Sequence, residues 1–165
     1  MKTLYIIRHA KSSWALADQP DFERGLNERG KKDAPRMGKR LKEKNIYPDL
    51  IVSSPAKRAY STAKKIAKIL NYPKEKIKKD RTLYHAGEDV ILSVIQELKD
   101  KHETVFLFGH NPGLTDFVNT LMNEEGNIDN IPTCGVVAFK LHVDSWKDVS
   151  WGGGKMLFFE YPKLV

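Results

Sequence analysis

Two short apolar runs, each ending in a histidine, constrain the fold of this chain more than any other feature. Lys2–Ile7 leads into Arg8 and His9, and Thr104–Phe108 leads, through one glycine, into His110. Short runs of nearly continuous apolar residues, rich in β-branched and aromatic types, are typical of strands buried in the middle of a sheet. We therefore expect Arg8, His9 and His110 to lie just beyond the carboxyl ends of two central strands.

Between and after these runs, strand-like and helical patterns alternate. Further strands are predicted over Asp49–Val52, Lys76–Lys79 at an edge, Gly135–Leu141 and Met156–Tyr161. Apolar residues at helical spacing predict further helices, one with Val90, Ile91, Val94, Ile95 and Leu98 inward and one with Leu114, Phe117, Val118 and Leu121 inward. This alternation predicts an α/β fold: a three-layer α/β/α sandwich with a mainly parallel central sheet. At 165 residues and 41% hydrophobic content, residues 1–165 are expected to form a single domain.

Capping signals and prolines set the expected boundaries of the first two helices. Asn27 is a candidate N-cap, and Pro35 predicts a short turn around Glu28–Gly30 before a helix that runs to about Lys44. The sequence Ser-Ser-Pro at residues 53–55 predicts a cap followed by proline at the first helical position, and so a helix over Pro55–Leu70. The stretch 11–25, between the first strand and the first helix, is polar and is expected to be a loop of functional length.

Composition excludes several classes of protein. The single cysteine, Cys134, excludes a disulfide scaffold and any metal site built from several cysteines. The chain shows no signal-peptide pattern and no stretch long and apolar enough to span a membrane, so a cytoplasmic protein without a membrane partner is expected.

The formal charge of +7 collects in two runs, Arg29–Lys44 and Lys64–Arg81, where basic residues coincide with helical spacing. Solvated helix faces are the favoured interpretation. A docking surface for acidic partners or phosphates is the alternative, and no nucleic-acid partner is expected because aromatic residues are not interleaved for base stacking.

A cationic pocket follows from the sheet topology. Ligands of open α/β sheets bind outside the carboxyl ends of the strands, where Arg8, His9 and His110 should meet Arg58 from the first turn of the second helix. Taken singly, such a histidine or arginine is more often structural. Together they suit a dianionic phosphoryl group.

Four motifs in order carry a resemblance to a known family: Arg8-His9-Ala10-Lys11-Ser12, Arg24-Gly25-Leu26-Asn27-Glu28-Arg29-Gly30, Ser53-Ser54-Pro55-Ala56-Lys57-Arg58, and Gly109-His110-Asn111-Pro112-Gly113. The chain resembles the histidine phosphatase superfamily, which includes phosphoglycerate mutases, and within it the SixA-type phosphohistidine phosphatases. The resemblance implies a phosphoglycerate mutase-like fold, His9 as the transiently phosphorylated nucleophile, and Arg8, Arg58 and His110 as ligands of the phosphoryl oxygens. It implies no metal and no cofactor.

The remaining site assignments are less constrained. Glu88 is the first candidate for the general acid because the superfamily commonly places that residue in the loop before the third helix, and His85 and Asp89 are alternatives. Lys11, Ser13 and Asn111 are candidate substrate-binding residues at the pocket mouth.

The resemblance implies a phosphatase for a phosphohistidine on a protein, working through a covalent intermediate on His9. A phosphatase for a small phosphomonoester and a non-catalytic phosphate-binding module are the alternatives.

Overall fold

A single mixed sheet organises the molecule. The structure, a computed structural model, describes residues 1–123 and 128–164. Within these ranges six strands form the sheet: β1 Lys2–Arg8, β2 Leu50–Ser53, β3 Lys78–Lys79, β4 Thr104–Gly109, β5 Val136–Leu141 and β6 Gly154–Glu160. The strand order is β3-β2-β4-β1-β5-β6. The pairings β3/β2, β2/β4 and β4/β1 are parallel, whereas β1/β5 and β5/β6 are antiparallel.

Helices cover both faces of the sheet, as the predicted three-layer α/β/α fold requires. The helices are α1 Glu28–Glu43, α2 Lys57–Ile69, α3 Glu88–Gln96 and α4 Gly113–Met122. Along β1, Leu4 and Ile6 pack in one core with α3 and α4, and Tyr5 and Ile7 pack in the other core with α1 and α2. Side chains alternate between the faces of a strand, so a strand that is apolar throughout serves two cores.

The start of α1 differs from the prediction. No separate turn precedes the helix, which begins at Glu28 and continues through Pro35. The predicted cap is confirmed, since the Asn27 side chain accepts a hydrogen bond from the Gly30 amide at 2.9 Å. Proline removes one helical hydrogen bond, but burial of Ala34, Met37 and Leu41 against the sheet and α2 favours the continuous helix.

The start of α2 also differs, because β2 begins and ends one residue later than predicted. Ser53 still pairs with Phe108 of β4, and the helix begins at Lys57 with Ala56 as its N-cap, so Pro55 is not the first helical residue. Arg58 nonetheless lies in the first turn, as expected, and is buried.

One predicted core residue of α3 is exposed. The helix begins at Glu88, and Val90 lies on its outer face with 40% of its surface exposed. Ile91, Val94 and Ile95 are buried. No helix within residues 1–123 and 128–164 has the length and apolar character needed to cross a membrane.

Candidate active site

The two predicted histidines meet at the carboxyl-end edge of β1 and β4. Arg8 is the register partner of Gly109, so the next residue of each strand end, His9 and His110, enters the same crevice. The His9 amide donates a hydrogen bond to the Gly109 carbonyl at 3.2 Å. The two imidazole rings lie 5.3 Å apart between centroids, which fixes them as neighbours.

A cavity of about 370 Å³ opens at this edge. It is lined by Arg8, His9, Lys11, Ser12, Trp14, Asp21, Arg24, Arg58, His85, His110, Asn111 and Thr133. The four residues predicted for phosphoryl transfer, Arg8, His9, Arg58 and His110, are therefore brought together.

The imidazole of His9 is neutral, and a backbone hydrogen bond fixes its tautomer. Its Nδ1 lies 2.7 Å from the Ala10 carbonyl oxygen. A carbonyl only accepts, so Nδ1 carries the proton and the lone pair of the neutral ring is on Nε2. Burial, and to a lesser degree the charges of Arg58, Arg8 and Arg24, lower the pKa of His9 to about 4 against the raising effect of the Ala10 hydrogen bond. The ring is therefore uncharged at neutral pH, with its one proton on Nδ1.

The imidazole of His110 is fixed by a serine that sequence analysis did not single out. Ser54 Oγ accepts a hydrogen bond from the Ala56 amide at 3.3 Å, and His110 Nε2 lies 2.7 Å from the same oxygen. Burial and the neighbouring His9 lower the pKa of His110 to about 3. Ser54 belongs to the Ser-Ser-Pro sequence between the end of β2 and the start of α2. Its position just after a strand that ends at the cavity could have indicated this role.

Three buried nitrogens at the cavity have no hydrogen-bond partner in the described part of the chain. Among the described residues, the buried side-chain polar atoms that lack a hydrogen bond are Arg8 Nε, Arg58 Nε and His110 Nδ1. Leaving such a group unpaired costs about 1–3 kcal/mol, and native structures contain few of them. Their concentration on three residues of one cavity indicates a site built for an anion with several acceptor oxygens.

Asp21 organises the cationic side of the cavity, and sequence analysis missed it. Arg58 donates from Nη2 to Asp21 Oδ2 at 3.0 Å and from Nη1 to the Asp21 carbonyl at 2.8 Å. Arg24 donates from Nε to Asp21 Oδ1 at 3.0 Å, and the Tyr84 hydroxyl donates to Oδ2 at 2.6 Å. The Tyr84 hydrogen bond, followed by those of Arg24 and Arg58, holds the pKa of the Asp21 carboxyl well below its usual value. Asp21 is therefore a permanent anion that orients both guanidinium groups.

The structure does not bring Glu88, the first candidate acid, to the cavity. The Glu88 carboxylate accepts a hydrogen bond from Thr120 Oγ1 of α4 at 2.5 Å, and Glu88 is absent from the cavity lining described above. Asp89 is exposed on the first turn of α3 and is likewise absent from that lining. His85 does line the cavity, with a positive φ of 61° and its ring 3.9 Å from that of Tyr84.

The three predicted substrate-binding residues have different positions. Lys11 and Asn111 line the cavity, but Ser13 does not, and its neighbour Ser12 does. The Asn111 amide is occupied within the protein: its nitrogen donates to Asn130 and Ile131, and its oxygen accepts from the backbone and hydroxyl of Thr115. Asn111 therefore fixes the loop after β4 and has little capacity left for a substrate.

Two glycines allow the loops of the cavity to pack closely. A Cβ at Gly30 would overlap the Lys11 carbonyl, and a Cβ at Gly113 would overlap the Ala86 carbonyl. The first contact seats the loop that follows His9, and the second seats the loop that carries His85 against the start of α4.

Comparison with known proteins gives consistent results. The sequence profile of the histidine phosphatase superfamily (branch 1) matches residues 4–85. Phosphoserine phosphatase 1 of Hydrogenobacter thermophilus is 40% identical over 85 residues, which are 50% of this chain and 38% of that protein. A 2,3-bisphosphoglycerate-dependent phosphoglycerate mutase of Bifidobacterium longum is 39% identical over 62 residues, 36% of this chain and 25% of that protein. The matches thus span well under half the length of these curated relatives.

Similarity to solved structures extends over nearly the whole chain. The SixA structure of Agrobacterium tumefaciens superposes with a TM-score of 0.84 at 27% identity and covers 98% of both chains. The protein histidine phosphatase SixA in complex with tungstate has the same fold, with a TM-score of 0.82 at 20% identity over 97% of both chains. With the four motifs gathered at one cavity, the profile match and the shared fold lead to one conclusion: this chain belongs to the histidine phosphatase superfamily.

Proposed function

We propose that this protein is a phosphatase that takes the phosphoryl group from a phosphohistidine side chain of another protein, without a metal or cofactor, through an intermediate on His9. The observation that carries the proposal is the set of unpartnered nitrogens of Arg8, Arg58 and His110 around the neutral ring of His9. Cationic and N–H donors that converge on a transferring phosphoryl group are the main means by which proteins assist this reaction.

In the first step, the lone pair of His9 Nε2 forms a bond to phosphorus. The bond between phosphorus and the substrate imidazole breaks, and its electron pair stays on the substrate nitrogen, which accepts a proton. Arg8 and Arg58 stabilise the charge on the phosphoryl oxygens. If the Ser54 hydroxyl donates to His110 Nε2, the proton of the neutral His110 ring is on Nδ1, from which it can be donated to a phosphoryl oxygen.

In the second step, water attacks phosphorus of phospho-His9. The nitrogen–phosphorus electron pair returns to His9 Nε2, the water gives up a proton, and phosphate leaves. The low pKa of His9, about 4, supports this cycle because the neutral nucleophile is regenerated without a further proton transfer.

We propose His85, rather than Glu88, as the group that donates a proton in the first step and takes one up in the second. His85 is exposed and lines the cavity, whereas the Glu88 carboxylate is bonded to Thr120. Imidazole is the side chain most often used for such transfer near neutral pH. His85→Ala should lower kcat by about 10- to 100-fold, and Glu88→Gln, the matched control, by less than about threefold. Equal losses in the two variants would contradict this assignment.

The substrate proposal is supported by the full-length similarity to the Agrobacterium tumefaciens SixA structure. The similarity to a phosphoserine phosphatase supports a small phosphomonoester as the second candidate. The two candidates differ in the ratio of kcat/KM for a phosphohistidine protein to kcat/KM for a panel of phosphorylated metabolites. A metabolite preferred by about 100-fold, close to 3 kcal/mol, would favour the second candidate.

The deciding experiment mixes the protein with a ³²P-phosphohistidine protein in EDTA, quenches at high pH and maps acid-labile label by peptide mass spectrometry. The proposal expects turnover in EDTA and transient label on His9, with neither in His9→Ala. Phosphatase activity retained by His9→Ala would refute the nucleophile. Loss of turnover in EDTA that Mg²⁺ restores would refute metal independence, and phosphate binding without any turnover would favour the non-catalytic module.

A further inference from the structure

A row of basic side chains leads away from the cavity along α2 and the sheet edge. We call it the basic strip and define it by Lys64, Lys65, Lys68, Lys74, Lys79 and Arg81. Four of these residues line an open groove of about 630 Å³ between α2 and the segment that precedes β3. The full lining of the groove is Ser61, Lys64, Lys65, Lys68, Tyr72, Pro73, Lys74 and Glu75.

Ring contacts join the strip to the catalytic residues. The Arg81 guanidinium lies 5.1 Å from the ring of Phe22, and that ring is 5.0 Å from the ring of Tyr84. Tyr84 in turn packs edge-on against His110 at 5.6 Å. Lys79 belongs to β3 at the position that pairs with Ser53, the last residue of β2, so it lies at the same edge of the sheet as the cavity.

The positive charge of the strip is not neutralised within the described part of the chain. None of its six residues makes an ion pair within residues 1–123 and 128–164. Glu75 is the one carboxylate among the residues that line the groove. By contrast, much of the basic run on α1 is paired, through Arg29 and Arg36 with Asp33, Lys31 with Glu28, and Lys44 with Glu160.

The aromatic residues of the strip are already engaged. The ring of Tyr60 lies under the ammonium groups of both Lys64 and Lys79, at 4.6 and 4.7 Å. The ring of Tyr72 is partly buried against the hydrophobic core, and its hydroxyl accepts from the Ile51 amide and donates to the Lys76 carbonyl. Sequence-tolerant binding of single-stranded nucleic acid uses free aromatic faces on which bases stack. An unpaired positive strip without such faces instead complements a surface of carboxylates.

We propose that the basic strip binds an acidic surface of the phosphoprotein next to the phosphohistidine that enters the cavity. This inference rests on the proposed function and identifies the kind of partner that the site accepts. The strip attracts carboxylates by long-range electrostatics, so it raises the rate of productive encounter, and salt weakens the effect. The chemical steps at His9 are the same for any phosphohistidine.

The test uses two synthetic peptides of equal length, each with one phosphohistidine, flanked by glutamates in one and by lysines in the other. Free phosphohistidine reports on the cavity alone. The variant Lys68→Glu/Lys79→Glu reverses two exposed charges of the strip, and Lys32→Glu/Lys39→Glu reverses two exposed charges on α1. All four lysines are outside the ion pairs of the described residues, so both variants change the net charge equally and break no salt bridge.

The proposal expects the wild-type protein to cleave the acidic peptide with a kcat/KM about tenfold above that of the basic peptide at low salt. Lys68→Glu/Lys79→Glu should abolish this preference, Lys32→Glu/Lys39→Glu should retain most of it, and both should hydrolyse free phosphohistidine at the wild-type rate. The preference should shrink as salt rises towards 0.5 M.

Different results would overturn different proposals. If the wild-type protein cleaves both peptides but shows no preference, or if the two double variants lose it equally, the docking surface is refuted and the phosphatase stands. If the wild-type protein hydrolyses an aryl phosphate but neither peptide nor free phosphohistidine, the proposed substrate fails and the docking surface fails with it. Binding of a single-stranded oligonucleotide that only Lys68→Glu/Lys79→Glu abolishes, with unchanged peptide kinetics, would assign the strip to nucleic acid instead.

Discussion

Two carboxylates in this molecule, Asp33 and Asp21, each form ion pairs with two arginines, and the two bridges differ in their surroundings. Asp33 pairs with Arg29 at 3.4 Å and with Arg36 at 3.9 Å, all within α1. Asp21 pairs with Arg24 and Arg58, both at 3.0 Å, and joins a loop to the first turn of α2 at the cavity. The first bridge lies within one helix, between a buried carboxylate and two half-exposed arginines. The second holds the Arg58 guanidinium, whose Nε has no hydrogen-bond partner within residues 1–123 and 128–164. The difference between the bridges therefore lies in what the arginine can still bind.

The sharpest test of this comparison removes one arginine from each bridge. Arg58→Ala should lower kcat/KM by about 100- to 1,000-fold, because a charge-assisted bond to the transferring phosphoryl group is lost. Arg36→Ala should leave kcat/KM within about twofold, since Arg36 is exposed and does not line the cavity. Steady-state kinetics with free phosphohistidine measures both. If Arg58→Ala changes kcat/KM as little as Arg36→Ala does, the Asp21 bridge is merely structural.

Neutralising each carboxylate tests the bridges themselves. Asp21→Asn should lower kcat/KM about tenfold, because Arg24 and Arg58 lose their shared anion and repel each other. Asp33→Asn should retain activity. The inhibition constant for vanadate separates positioning from general stability, and it should rise in Asp21→Asn alone. A parallel rise in Asp33→Asn would remove the distinction between the bridges.

The pH dependence of activity sharpens the comparison. The pKa of His9 is lowered to about 4, so its ring is neutral above that pH and protonates below it. If His9 is the nucleophile, as proposed, kcat/KM should fall on the acid side near pH 4. Arg58→Ala should move this limb upwards, though not to the ordinary value of 6.5, because burial is the larger cause of the low pKa. Arg36→Ala should not move it. An acid-side limb near pH 6.5 that is present in both the wild-type protein and His85→Ala would contradict a buried, neutral His9.

The smallest expected effect is on stability. The Asp33 side chain is buried, so Asp33→Asn should lower the free energy of unfolding by about 1 kcal/mol, or about 2–4 °C in Tm. The Asp21 side chain is 42% exposed, and Asp21→Asn should shift Tm less. Thermal unfolding followed by circular dichroism measures both. A larger shift for Asp21→Asn would reverse the roles assigned to the two bridges.

The sequence pattern predicted correctly that the residues at the ends of parallel strands would converge at one edge of the sheet. His9 and His110 end parallel strands and Arg58 begins the helix after another strand, so their convergence follows from topology. The strand runs and buried helix faces follow from hydrophobic period in the same way. Pro35 shows the limit of such rules, since packing of the whole helix outweighs one local signal.

The partners of the site depended on contacts that no local pattern contains. Tyr84 reaches Asp21 across 63 positions of the chain, and Glu88 turns to Thr120 across 32. These long-range pairings depend on loop conformation and on the rotation of each helix about its axis.

The close approaches at Gly30 and Gly113 have a consequence for mutational tolerance. Neither residue has a side chain to offer a substrate, yet even a methyl group there would overlap the carbonyl of Lys11 or Ala86. In a selection for enzymatic activity, these two positions should be as intolerant as His9. Gly87, with no atom within 4 Å of a Cβ placed on it, should accept alanine. The positions that selection protects in this protein therefore include two that supply no chemical group.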